Sequence, residues 1–134
     1  MELLIGAALA LSIGLSATFL GLDRDRAFYP TMMIFIASYY ALFAVIGGSV
    51  HALMVESIGV VVFLGASVVG FRTSLWLVVA ALAGHGLFDF FHDRLVANPG
   101  SPAWWPPFCL SYDVVAAAYL AWLLSRSKVR AAAA

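Results

Sequence analysis

Glu56, Asp89 and Asp113 stand inside otherwise apolar stretches, and no lysine or arginine lies at comparable depth to neutralise them. A carboxylate held in hydrocarbon costs roughly 2.5 kcal/mol or far more, so each is a candidate functional group. The densest signal is the run His85-Gly86-Leu87-Phe88-Asp89-Phe90-Phe91-His92-Asp93. At about 100° per residue, His85, Asp89 and His92 fall within about 60° of one another on one helix face. With such a spacing of imidazole and carboxylate, one helix can give two ligands to a metal, and Asp89-x-x-His92 has the form of half a di-iron motif. The complete di-iron pattern needs that motif twice, and the chain carries it once. A single zinc held by His85, Asp89 and His92 needs fewer assumptions, with Glu56 or Asp113 completing the shell or acting as general base on a water that the metal activates; iron is the alternative metal.

Each of these residues also has a plainer role that would explain it. Glu56 could be a protonated carboxyl bonded to a backbone carbonyl. Asp113 follows Ser111-Tyr112 near a helix start, where the dipole favours a carboxylate. Lone intramembrane histidines are more often hydrogen-bonding residues than ligands, and His51 falls at the interface, where water solvates it. Cys109 reads as a small packed residue. As the single cysteine, it excludes an internal disulfide and a multi-cysteine metal site. Tyr39 and Tyr40 fall mid-span, placed either to hydrogen-bond within the core or simply to pack.

The elements that must position these groups are membrane helices. The chain has 134 residues, 64% of them hydrophobic and 10% charged, against about 25% charged in soluble domains. Its mean hydropathy is +1.01. Apolar runs predict an all-α, polytopic bundle of five transmembrane helices in a single membrane domain, at about 2–22, 28–47, 51–71, 74–95 and 108–125. The start Met1-Glu2 lacks the positive n-region of a cleavable signal, so the first run is expected to be a span. Segment 96–107 holds four prolines and a glycine and is expected to be an interfacial loop. Its Trp104-Trp105 pair suits the headgroup region and is expected to gate the site. Gly6, Ala10, Gly14 and Thr18 form a small-residue stripe for close helix packing. The terminal alanines 131–134 are expected to fray.

Arg24, Arg26, Arg72, Arg126, Lys128 and Arg130 share one side, against Arg94 alone on the other. Positive-inside logic predicts the N-terminus out and the C-terminus in, within the inner (cytoplasmic) membrane. Glu56, Asp89 and Asp113 then lie roughly 8 to 9 Å below the outer surface, at one shared depth. His85 lies deeper, near the midplane. A net charge of zero argues against nucleic acid as a partner; the lipid bilayer and an apolar small molecule or lipid are the expected ones.

The stretches Phe28-Tyr29-Pro30-Thr31, His85 to His92, and Asn98-Pro99-Gly100-Ser101-Pro102-Ala103-Trp104-Trp105-Pro106-Pro107-Phe108-Cys109 resemble an uncharacterised group of small multi-pass bacterial membrane proteins. That resemblance covers nearly the whole chain and implies no activity. The His-x-x-x-Asp pattern is loosely similar to that of membrane ceramidase-like metal hydrolases, which have more spans and further histidines. A retinal protein is excluded because the only lysine, Lys128, lies in the tail. Haem ligation by His51 and His85 is disfavoured by their different depths. The function expected from these residues is a membrane-embedded, metal-dependent hydrolase acting on a lipid or other apolar substrate near the outer leaflet. One alternative is a proton- or cation-coupled small-molecule carrier, which expects a homodimer and lacks the inverted repeats common in carriers. The other is an accessory subunit of a larger membrane complex.

Overall fold

The structure is a computed structural model that describes residues 1–130; the alanine tail expected to fray lies outside the described residues. It is all-α, with five helices: α1 (Glu2–Leu20), α2 (Phe28–Ile46), α3 (Val50–Arg72), α4 (Trp76–Leu95) and α5 (Trp105–Ser125). Four of them, α1, α2, α3 and α5, are long and apolar enough to cross a membrane. The fourth helix departs from that expectation, because His85, Asp89, His92, Asp93 and Arg94 lower its hydropathy.

These helices are apolar around most of their circumference, so what marks the inside is small or polar side chains. On α1 the buried residues are Gly6, Ala10, Gly14 and Ala17, while Leu4, Leu15 and Phe19 point outward. A Cβ on Gly6 would overlap the carbonyl of Phe108, so the missing side chain is what lets α1 lie directly on α5. Thr18, the fourth member of the expected stripe, instead donates to Asp23 (2.6 Å) and pairs with the Tyr119 hydroxyl (3.0 Å). On α4 the buried set is Val78, Ala81, Leu82, His85, Gly86, Asp89 and His92, a helical stripe that carries the ionisable groups inward.

Helix α1 packs on α5, α5 on α4, α4 on α3 and α3 on α2, with α2 also touching α4. Large side chains span the remaining seam between α2 and the α1–α5 pair, as where Tyr39 meets Trp105 at 4.8 Å between ring centroids. At one end of the bundle, the basic end, Arg26 donates to the carbonyls of Gly70, Phe71 and Arg130, capping the end of α3 and holding the tail. At the other, the loop end, residues 96–104 fold over α2 and α3. Gly100 there touches backbone so closely that a Cβ would overlap the Phe43 carbonyl.

Helix α5 begins at Trp105, earlier than the expected start at 108. Pro106 and Pro107 fall in its first turn, where amides have no helical acceptor and a missing N–H costs nothing. Trp104 caps the helix and Trp105 opens it, so neither belongs to a free loop.

Candidate metal centre

The α3, α4 and α5 helices turn their acids to one interior. Glu56, Asp89 and Asp113 are 3%, 2% and 0% exposed, and His85 and His92 1% and 0%. Two histidine–carboxylate pairs result, stacked along α4.

In the deeper pair, His85 Nδ1 lies 2.6 Å from Asp113 Oδ2, with Asp89 Oδ2 3.3 Å from the same nitrogen. One ring nitrogen carries at most one proton, and the short contact to Asp113 takes it. Asp89 Oδ2 and Asp113 Oδ1 are left buried without any hydrogen-bond partner. Asp89 is held from its other side by the Tyr40 hydroxyl, which donates to Oδ1 at 2.8 Å. Cys109, one turn before Asp113 on α5, completes the cluster. One ligand atom each from His85, Asp89, Cys109 and Asp113 lie within 4.8 Å of one another, close enough to hold a metal ion.

The pair nearer the loop end is built differently. His92 Nε2 lies 2.8 Å from Glu56 Oε1, and the Asn98 side-chain amide donates to that same oxygen at 2.9 Å. Asn98 also donates to the Tyr40 carbonyl at 2.9 Å, tying the α4–α5 loop to α2. The Tyr40 ring stacks on His92, with centroids 3.8 Å apart and planes 14° from parallel. Tyr40 thus joins both pairs: its hydroxyl serves Asp89, its ring covers His92 and its carbonyl receives Asn98.

The candidate ligand set therefore differs from the one expected. His85 and Asp89 belong to it, with Asp113, one of the two acids expected to complete the shell, and Cys109, which was not expected, both from α5. His92 and Glu56 are drawn off by each other, since α3 delivers Glu56 to the loop-side level of α4. Cys109 is buried, as a packed residue would be, but its sulfur faces the acids. His51 is exposed at the start of α3 and takes no part in the network. Trp104 is half exposed, whereas Trp105 packs its ring against Tyr39, Phe43 and Phe108. Asn98 and Tyr40 carry roles that spacing along the chain does not reveal. The nearest signal for Asn98 was an amide amid prolines and glycine, next to helices bearing unmatched acids.

The network holds three carboxylates and two histidines, and no lysine or arginine side chain bonds to it among the described residues. With every group ionised it would carry one negative charge in excess, located where the unpartnered oxygens are. Buried polar atoms are nearly always satisfied, so two free carboxylate oxygens beside one imidazole call for a proton or a cation.

No protein-family model, curated protein or solved structure matches this chain. The chain has the make-up of a small multi-pass membrane protein and buries a His/Asp/Cys/Asp group that could hold a metal ion.

Proposed function

We propose that this is a membrane-embedded, metal-dependent enzyme, most simply a hydrolase, acting on an apolar substrate. The single observation that carries this is the pair of unpartnered oxygens, Asp89 Oδ2 and Asp113 Oδ1, packed around His85 with a cysteine sulfur beside them. All five helices span the inner membrane, α4 by keeping its ionisable side chains against α2, α3 and α5. The basic end faces the cytoplasm, by the charge bias of its turns and tail. The site then lies in the outer half of the bilayer.

Imidazole, carboxylate and thiolate together suit zinc, with iron the alternative, better than magnesium or calcium, which prefer oxygen ligands. In a tetrahedral site, ligand atoms stand about 3.4 Å apart. The His85–Asp113 contact of 2.6 Å would open by about 0.8 Å as the shared proton leaves. His85, Asp113 and Cys109 would hold the ion, and three protein ligands would leave a position open for water or substrate. When bound, the ion polarises the bond to be cleaved and lowers the pKa of water. Asp89 lines a separate cleft of about 140 Å³ between α4 and α5, with Asp93, Pro106 and Pro107 toward the loop end. Water reaching that cleft would bond through its oxygen to the substrate centre while Asp89, oriented by Tyr40, takes its proton; Asp89 would then return that proton to the leaving oxygen as the bond from the centre to that oxygen breaks.

The test is metal content of the purified protein by plasma mass spectrometry. About one zinc or iron per chain is expected, falling to background in Asp113→Ala. Wild-type protein that stays metal-free after equilibration with zinc overturns the enzyme. A free carboxyl proton would then account for the odd charge, as a proton- or cation-binding carrier requires.

A further inference from the structure

The basic end of the bundle holds another cleft, about 250 Å³ in volume, between the start of α2 and the end of α3, and none of the buried acids lines it. Pro30, Thr31 and Ile34 reach it from one face of α2, and Val68, Phe71 and Arg72 from the facing side of α3. Arg72 closes α3 at the bundle's end, Thr31 stands one turn inside the start of α2, and Ile34 lies nearly a turn deeper. Polarity therefore grades along the cleft from a guanidinium through a hydroxyl to hydrocarbon. Val68 and Arg72 are one turn apart on the same flank, so the stem of the arginine continues the apolar wall toward the mouth.

Both polar groups are exposed and unused. Arg72 forms no ion pair among the described residues, and neither its guanidinium nor the Thr31 hydroxyl is engaged in a hydrogen bond there. The surroundings add to the positive charge. Arg24, Arg26, Arg72, Arg126, Lys128 and Arg130 gather at this end against only Asp23 and Asp25. Arg26, beside the cleft residue Ala27, is bound to carbonyls alone, including those of Gly70 and Phe71 at the same end of α3. Its charge is left without a carboxylate.

We propose that this cleft seats one anionic phospholipid of the leaflet at the basic end. Its phosphate rests on Arg72, an ester carbonyl accepts from the Thr31 hydroxyl, and the first part of one chain lies against Pro30, Ile34 and Val68. A free phosphate would leave the hydroxyl and the apolar walls unused, and the excess positive charge repels the amine of a zwitterionic headgroup. The site rests on the membrane placement proposed above and not on the metal centre.

Native mass spectrometry of the full chain, released from detergent after incubation with phosphatidylglycerol, tests this. One retained lipid per chain is expected, in preference to phosphatidylcholine with the same acyl chains by about 10-fold. Arg72→Gln should abolish that preference, whereas Lys128→Gln, which removes the same charge from the same end but away from the cleft, should leave it nearly intact. Thr31→Val should weaken retention of both lipids by about 5-fold. Ile34→Trp, which fills the apolar part, should release both. Equal losses in Arg72→Gln and Lys128→Gln would reduce the binding to diffuse charge and overturn the site, as would equal retention of the two lipids in wild type. Displacement by inorganic phosphate at the concentration of the lipid would assign the cleft to a free anion and overturn the lipid. Asp113→Ala should retain the lipid as wild type does, so that failure of the metal centre and failure of this site are read apart.

Discussion

His85 and His92 occupy the same face of α4, two turns apart, each against a carboxylate brought by another helix. Around His92 the polar groups balance. Glu56 receives both the imidazole and the Asn98 amide, Tyr40 covers the ring, and neither His92 nor Glu56 has a buried polar atom without a partner. Around His85 they do not, because two aspartates compete for one nitrogen and each keeps a free oxygen. Two near-copies of one motif thus separate into a satisfied joint and a group with unpartnered carboxylate oxygens that could hold a cation. The difference lies in whether two buried acids share one ring nitrogen, since the second acid at His92, Asp93, is exposed and meets the other nitrogen, and in whether the loop supplies a neutral donor.

Substitutions on the two sides of that comparison should part stability from metal binding. The largest loss of stability is expected for Glu56→Ala, which strands buried His92 and the Asn98 amide. About 3–5 kcal/mol should go, seen as a lower unfolding midpoint in detergent, with metal content per folded chain unchanged. If the metal disappears there as completely as in Asp113→Ala, the two pairs form one site and the contrast fails.

Tyr40→Phe sharpens the comparison, because it deletes the donor to Asp89 while keeping the ring on His92. Stability should fall by about 1–3 kcal/mol. Metal content per folded chain should stay as in wild type, because Asp89 serves as the base and not as a ligand. Loss of the metal together with the hydroxyl would make Asp89 a ligand instead. The smallest effect belongs to Asn98→Ala, about 1–2 kcal/mol. Faster hydrogen exchange confined to the 96–104 loop and the start of α3, with no change in metal, is the expected signature. Exchange that quickens around Asp113 instead would place the loop in the deeper site.

The helices were legible because each is a largely apolar run bounded by charge, glycine or proline, four of them apolar enough to cross a membrane. The acids were legible because an ionisable residue in such a run is out of place. The start of α5 was not, since proline breaks a helix interior but sits without cost in a first turn, and composition does not separate these settings. His92 and Cys109 exchanged their expected parts for a related reason. Spacing on α4 puts His85, Asp89 and His92 on one stripe, but which of them meets which acid depends on how far α3 and α5 slide along it. Cys109 offered no local signal, being one turn from Asp113 on a helix whose rotation the chain does not announce.

The sequence by itself determined that this chain forms apolar helices and that three acids with too few positive partners are carried into them, because transfer to hydrocarbon depends on local composition. Only the tertiary structure decided the pairing: Glu56 with His92, Asp113 with Asp89, His85 and Cys109, and an open seam beside α2. Those outcomes follow from helix rotation, axial offset and the close approach permitted at Gly6 and Gly100, which depend on contacts between residues far apart in the chain.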